Sequence, residues 1–283
     1  MSPRHALRLP APGKLNAFLH VTGRRADGLH TLDSLFVLLS RGDTISLAAR
    51  DDGSIVREGA GNGIAVDDDL AIRAARLLQA RSGAARGASV EVTKRLPIGG
   101  GLGGGSSDAA TVLLGLNRLW ALALSRQALM SIALELGADV PFFVFGETAH
   151  ARGIGEQLCA MTMAPTWYTV LTPSVAVSTR EIFAAPELTR NSESAKIPVF
   201  SEGYGRNDLY GAAAARFPDV ARCLDALARE APGSDARMTG SGACVFAAFA
   251  TEDAAQRALS RMPGGIAGFV ARSIARHPLW CFA

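Results

Sequence analysis

Apolar residues recur along this chain at two spacings, and the N-terminal part favours the shorter one. Over residues 14–21, Leu15, Ala17, Leu19 and Val21 fall on one face, the two-residue period of a strand. Residues 32–39 and 43–49 read as two further strands, separated by the turn-forming pair Arg41-Gly42. The period then becomes helical over 69–81, where Leu70, Ala74, Leu77 and Leu78 share a face. Asp67, Asp68 and Asp69 suit the positive end of that helix. A strand pattern returns at 89–96. Helical patterns follow at 106–122, with Val112, Leu113, Leu116, Leu119 and Trp120 on one side, and at 125–136, ending at Gly137.

Beyond residue 160 the texture changes. Residues 167–172 form an apolar strand ahead of Pro173, and 187–204 are polar and rich in Ser, Glu and Pro, as in a loop. A helix is expected over 212–228, a strand over 243–250, a helix over 253–261 and a last strand over 268–273. Strand and helix alternate without a strict βαβ rhythm, which predicts an α+β class with two lobes, residues 1–160 and 161–283.

Length agrees with two lobes, because 283 residues at about 150 per domain gives roughly two. Hydrophobic residues at 48% against 19% charged exclude disorder as a global description. The net charge is +3, with no block of like charges and no basic-aromatic stripe, so no nucleic-acid partner is expected. Cys159, Cys223, Cys244 and Cys281 are scattered without metal-ligand or CxxC spacing, the pattern of reduced, buried thiols. No signal-like apolar segment stands in the first ten residues. The longest uncharged run, 157–179, is interrupted by Pro165 and Pro173, so no membrane partner is expected and the chain reads as cytoplasmic. Lysine occurs three times only (Lys14, Lys94, Lys196) in an arginine-rich chain, a hint that a retained lysine does what arginine cannot.

The strongest local signal is Pro97-Ile-Gly-Gly-Gly-Leu-Gly-Gly-Gly-Ser-Ser-Asp108. A glycine cluster between an alternating strand and a helix start exposes backbone N–H groups at the positive end of a helix dipole, an anion site suited to phosphate. It is not a Walker A loop, because no lysine follows Gly105. Gly99, Gly101 and Gly104 formally satisfy the dinucleotide fingerprint GxGxxG, yet residues 118–127 lack the acidic residue that would hold a ribose. The HRD and DFG partners of protein kinases are absent. Ser106 and Ser107 suit either a phosphate or magnesium contact or the capping of the helix, and Asp139 either a general base or a cap for the segment that Pro141 begins.

Five segments, in order, carry a resemblance: Ala11-Pro-Gly-Lys-Leu-Asn-Ala-Phe-Leu19, Arg24-Arg-Ala-Asp-Gly-Leu-His-Thr-Leu32, the glycine loop, Gly137-Ala-Asp-Val-Pro-Phe142, and Met238-Thr-Gly-Ser-Gly-Ala-Cys-Val245. Together they resemble the GHMP kinase superfamily. Within it they resemble the branch that phosphorylates a cytidine-diphosphate-linked methylerythritol in the non-mevalonate isoprenoid pathway. The resemblance implies an N-terminal lobe of ribosomal-protein-S5-like type, a smaller α+β C-terminal lobe, and ATP and substrate meeting between them. Magnesium is expected to arrive with ATP, held by phosphates and water rather than by a dedicated cage.

The same resemblance places Asp139 as general base and Lys14 as the cation that orients the attacking oxygen and steadies charge on the γ-phosphoryl group. It places Pro97, Ile98, Gly99, Gly100, Gly101, Leu102, Gly103, Gly104, Gly105, Ser106 and Ser107 on ATP. Asn16 falls near the substrate diol, His30 on the cytosine edge, and Thr179 and Phe183 on the substrate side, Phe183 stacking on the base. Where the family usually has an aromatic residue before this histidine, the chain has Leu29, which makes one wall of the base slot aliphatic. The turn at Thr239-Gly-Ser-Gly-Ala243 fits a place near the substrate diphosphate, a support for the glycine loop, or a simple turn before a strand. Other superfamily kinases, of homoserine or mevalonate, have no base to grip, which the segment 24–30 and Phe183 argue against. A nicotinamide oxidoreductase lacks its ribose acid here, and a non-catalytic nucleotide module would be free to lose Lys14 and Asp139. A monomer or weak homodimer is expected.

Overall fold

The computed structural model describes residues 6–194, 204–233 and 235–283. Strand β1 (Ala6–Arg24) pairs antiparallel with β2 (His30–Arg50) along its length, with register shifts at Pro12/Lys14, Asn16/Phe18 and Val21/Gly23. The other edge of β2 is shared. Its C-terminal half pairs with β4 (Gly87–Thr93) and its N-terminal half with β5 (Ala149–Gly153). Strand β3 (Ile55–Glu58) joins β4 in parallel and β6 (Gln157–Ala160) joins β5, completing six strands. Four helices cover one face: α1 (Leu70–Ser82), α2 (Gly104–Leu119), α3 (Arg126–Leu136) and α4 (Val140–Phe145).

A second, four-stranded antiparallel sheet has the order β10 (Ala267–Arg272), β7 (Trp167–Thr172), β9 (Val245–Phe249), β8 (Arg237–Met238). Its helices are α5 (Thr179–Ala184), α6 (Tyr210–Arg216), α7 (Pro218–Glu230) and α8 (Glu252–Ser260). The two-residue period of β2 shows how the layers stack. Phe36 and Leu38 enter the core under α1–α4, while Leu35, Val37 and Leu39 enter a core shared with Tyr168, Val170 and Phe246 of the second sheet. On that sheet's far face, Leu171, Val245 and Ala247 pack with Ile182, Leu209, Val220 and Leu227. The order is helices, sheet, sheet, helices, and both sheets are buried on two faces, which is why 35–39 is a continuous apolar run.

Two expectations change in the structure. Residues 32–39 and 43–49 are one strand, because Arg41-Gly42 does not turn. At Gly42 the backbone of β1 passes so close that a Cβ would stand 2.1 Å from the Ala11 carbonyl oxygen. The expected helix 212–228 is two helices, α6 and α7, broken at Phe217, because Pro218 lacks an N–H and its ring clashes with a preceding turn. The chain end also turns back to the first sheet. The Ile274 and His277 N–H groups donate to the carbonyls of Leu38 (2.9 Å) and Gly146 (2.8 Å), and Leu279 is buried in the core under α1–α4. Of the expected loop 187–204, residues 195–203 lie outside the described residues. Among the described residues, no helix is long and apolar enough to cross a membrane.

Gly42→Ala is expected to lower stability by about 1–3 kcal/mol, the usual range for forced overpacking. Urea unfolding beside the wild type checks it, and an unchanged midpoint would show that β1 can move aside.

Candidate active site

The glycine loop lies where the two sheets meet, pressed backbone to backbone against the turn that precedes β9. Gly101 has φ +75°, and a Cβ there would sit 2.2 Å from the Thr239 carbonyl oxygen. The Cys244 N–H donates to the Gly100 carbonyl (3.1 Å) and the Thr239 hydroxyl to the Gly101 carbonyl (3.3 Å). Of the three roles left open for the 239–243 turn, support of the glycine loop is the one these contacts describe. Asn207 braces the turn, donating from Nδ2 to the carbonyls of Met238 and Gly240 (both 2.8 Å).

Helix α2 begins two residues before its expected start, inside the glycine run. Its N-cap is Gly103 (φ +68°), which bonds through no side chain. Ser106 and Ser107 therefore lie within the first turn and do not cap it. Ser106 lines the cleft and Ser107 is fully buried, its hydroxyl without a hydrogen-bond partner. Exposed N–H groups of Gly104 onward, at the positive end of a sixteen-residue helix, make an anion cradle.

Lys14 stands beside this cradle. Its own N–H donates to the Leu102 carbonyl (2.9 Å), and a Cβ at Gly103 would meet Lys14 Cγ at 3.1 Å. Lys14 Nζ is 3.2 Å from Asp139 Oδ2, donates to Asn16 Oδ1 (2.5 Å), and lies 4.9 Å from the centre of the Phe36 ring. Its side chain is only 4% exposed, so these partners take the place of water around it. Asn16 is held in turn. Its Nδ2 donates to Ser34 Oγ (2.9 Å) and its backbone N–H to Thr239 Oγ1 (3.0 Å). Asn16 thus lines the cleft with its amide already engaged on Lys14 and Ser34, which makes it an orienter of the lysine as well as a cleft residue.

Asp139 occupies the N-cap of α4 but accepts no capping hydrogen bond; its carboxylate turns to Lys14 instead. Phe142 and Phe143 anchor α4 in the core, Phe142 edge-on to Phe36 at 5.0 Å. The element carrying Asp139 and the ring under Lys14 therefore share one aromatic cluster.

At the other end of the cleft, His30 stacks on Phe183 with ring centres 5.1 Å apart and planes 30° apart. Arg190 Nε donates to His30 Nε2 (3.0 Å). Burial, with Arg190 and Arg24 nearby, holds the His30 pKa below its ordinary value. Leu29 is 49% exposed beside it. Thr179, at the start of α5, shares a hydrogen bond with Ser241 (2.8 Å) across the cleft wall. A single cleft of about 880 Å³ is lined by Lys14, Asn16, His30, residues 97–106, Asp139, Thr179 and Phe183. Of the residues singled out in the sequence, Ser107 alone lies behind its wall.

Sequence reasoning missed a largely buried ion cluster beside the cradle, of which Lys94 and Asp108 line the cleft. Lys94 pairs with Asp43 and, at 2.8 Å, with Asp108, while Asp43 Oδ1 also accepts the N–H groups of Arg95 and Leu96. The scarcity of lysine pointed at Lys94, but nothing in the local pattern pairs Asp43 with it from 51 residues away. Burial disfavours the Lys94 charge, but Asp108 and Asp43 outweigh it and raise the pKa. With one cation for two carboxylates, Asp108 is the group that yields. Burial pushes it up to about 7 against the pull of Lys94, and the Asp43 charge adds to the rise. Arg190 was missed too, because it acts through a partner distant in sequence.

The chain matches the family models described as GHMP kinases N terminal domain, over residues 69–147, and GHMP kinases C terminal, over residues 203–265. A two-lobed fold with a glycine loop at a helix start and a Lys14–Asp139 pair fits that class of ATP-dependent phosphotransferase. It is 58% identical to the 4-diphosphocytidyl-2-C-methyl-D-erythritol kinase of Thiobacillus denitrificans, covering 96% of this chain and 97% of that one. To the enzyme of the same name from Nitrosospira multiformis it is 52% identical, over 98% and 94%. A crystal structure of 4-(cytidine 5'-diphospho)-2C-methyl-D-erythritol kinase superposes with a TM-score of 0.79 at 31% identity, covering 94% of this chain and 99% of that one. The homoserine kinase of Cytophaga hutchinsonii shares the fold at a TM-score of 0.67 and 16% identity, over 98% and 97%. The chain belongs to the GHMP kinases and, among them, to the family of 4-diphosphocytidyl-2-C-methyl-D-erythritol kinases.

The raised pKa of Asp108 predicts a pH-dependent stability. An unfolded aspartate loses its proton near pH 3.9, so above that pH the folded chain holds a proton that the unfolded chain has lost. Stability from this group is full below pH 4 and is lost as pH rises through about 7. Asp108→Asn should remove that slope, at most about 1.4 kcal/mol per pH unit. Urea unfolding of both proteins at pH 5 to 8 reads it; parallel curves would place the proton elsewhere.

Proposed function

We propose that this chain transfers the γ-phosphoryl group of ATP to the 2-hydroxyl of 4-diphosphocytidyl-2-C-methyl-D-erythritol, releasing the 2-phosphate and ADP. The observation that carries this reading is the Lys14–Asp139 pair, 3.2 Å apart, between an anion cradle and a histidine–phenylalanine stack in one cleft. Phosphoryl transfer needs positioned reactants, charge neutralisation and a path for one proton. Asp139 accepts the hydroxyl proton as general base. The Lys14 ammonium, aimed by Asn16, stabilises negative charge on the attacking oxygen and the transferring group. Backbone N–H groups at the start of α2 hold the ATP phosphates, and the His30–Phe183 end of the cleft receives the cytosine.

Magnesium enters as part of the co-substrate. The ion is carried by the ATP phosphates and water, with the Ser106 hydroxyl within the first turn of α2 as a protein contact. The division into lobes of residues 1–160 and 161–283 rests on the partition of the strands between two sheets. We take the enzyme to act in the cytoplasm as a monomer or weak homodimer, without nucleic-acid or membrane partners.

ADP release coupled to a detecting enzyme, with the cytidine substrate and Mg-ATP, tests the assignment. Asp139→Asn should lower kcat by about 10²–10⁴-fold, the span of general-base catalysis, with ATP binding retained. Undiminished turnover would remove Asp139 from the proton path. Leu29→Tyr should lower KM for the cytidine substrate, since one base–aromatic stack contributes about 1–3 kcal/mol. An unchanged KM would show that the base does not reach Leu29.

A further inference from the structure

Arg190 has no place in the chemistry above, yet it makes the most elaborate contact set at the base end of the cleft. Its Nη1 donates to the Leu188 carbonyl (3.0 Å), and its Nη2 to the carbonyls of Phe183 (3.1 Å) and Ala185 (2.8 Å). The Phe183 and Ala185 carbonyls lie at the C-terminal end of α5 and the Leu188 carbonyl in the segment just beyond it, so one guanidinium ties the helix end to the chain that follows. The guanidinium plane is thereby fixed, and its remaining Nε–H is aimed at His30 Nε2, 3.0 Å away. Phe183 lies against the same imidazole. One arginine therefore sets both the ring that would stack on the base and the ring that would read its edge.

The direction of this hydrogen bond has a chemical consequence. An arginine is a donor only and keeps its protons throughout the physiological range. A ring nitrogen that accepts from it carries no proton, so neutral His30 bears its single proton on Nδ1. A second proton on Nε2 would face the Nε–H donor and cost that bond. We infer that Arg190 is a positioning residue that locks His30 as the neutral Nδ1–H tautomer, so that the ring offers one donor and discriminates in favour of a base with a ring-nitrogen acceptor. Cytosine presents such an acceptor at N3, whereas uracil carries a proton there and would set donor against donor. The inference rests on the reading of this cleft end as the cytidine site.

The surroundings of the ring agree. The charged groups facing it are Arg190 from the segment after α5 and Arg24 from β1, both cations. Asp27, in the same loop as His30, is engaged by the Arg25 guanidinium (2.9 Å) and the Leu29 N–H (3.1 Å). No carboxylate among these contacts favours the imidazolium.

The test begins with the unmodified protein. Nitrogen-15 NMR of the imidazoles, with His30 assigned through His30→Gln, should show Nε2 unprotonated and Nδ1 protonated, without titration near the ordinary histidine pKa of about 6.5. In Arg190→Met the ring should show mixed tautomers and titrate at a higher pH than in the wild type, with burial and Arg24 still acting on it. KM for the cytidine substrate should rise about tenfold, more at neutral pH, where the Nε2–H tautomer lacks the Nδ1 donor, than at acidic pH, where the imidazolium carries both protons, with kcat little changed, and the preference over the uridine analogue should shrink. A merely structural arginine would move stability without moving tautomer or base preference. An Nε2–H ring in the wild type, or a variant that keeps the wild-type tautomer and pH profile, would overturn the inference. A locked ring in a protein that fails to phosphorylate the cytidine substrate would overturn the nucleotide reading instead, and the base-discrimination role with it.

Discussion

The contact on which the rest of this structure depends is one between two stretches of backbone. At Gly101 no side chain separates the glycine loop from the Thr239 carbonyl, and the loop and turn exchange hydrogen bonds at Gly100, Gly101, Thr239 and Cys244. Because these stretches belong to different sheets, their contact sets how the sheets meet. The Thr239 hydroxyl then accepts the Asn16 N–H, Asn16 orients Lys14, and Lys14 reaches Asp139. Each step is a single hydrogen bond or ion pair, so the separation of the two charged groups follows from how closely the two backbones approach.

The division of labour between lysine and arginine follows from their shapes. Lys14 and Lys94 each present a compact ammonium in a crowded, buried place beside the glycine loop, Lys94 between two carboxylates. Arginine serves where a plane of several donors must hold separate acceptors. Arg190 does this at the end of α5, and Arg126 at the chain terminus, where it reaches the carbonyls of Val144 and Trp280 and lies over the Trp280 ring at 4.0 Å.

The two ends of the cleft differ in rigidity for physical reasons. The phosphate end is built from glycine backbone, a helix start and charges that are buried or half-buried. The base end is built from side chains on a loop and on the six-residue helix α5, with Leu29 exposed. Its order depends on side-chain hydrogen bonds, chiefly those of Arg190, where the phosphate end depends on backbone.

Much of this was legible in the sequence, and the boundary has a cause. Periodicity marked α1, α3, β7 and α8 nearly to their ends, because amphipathic patterns and caps such as Asp69, Ser125 and Gly137 act within a turn or two of the chain. Ordered motifs named the glycine loop, Lys14 and Asp139. Periodicity failed where distant chain overrode local preference, at Gly42, where β1 presses against a would-be turn. It was silent on Asp43 with Lys94 and on Arg190 with His30. Those pairs are 51 and 160 residues apart, and no local spacing encodes a partner brought near by the packing of two sheets. Sequence alone determined the local elements and the motifs that mark candidate residues; only the tertiary structure decided which groups face one another, because hydrogen bonds and buried charges act through distances that chain order does not contain.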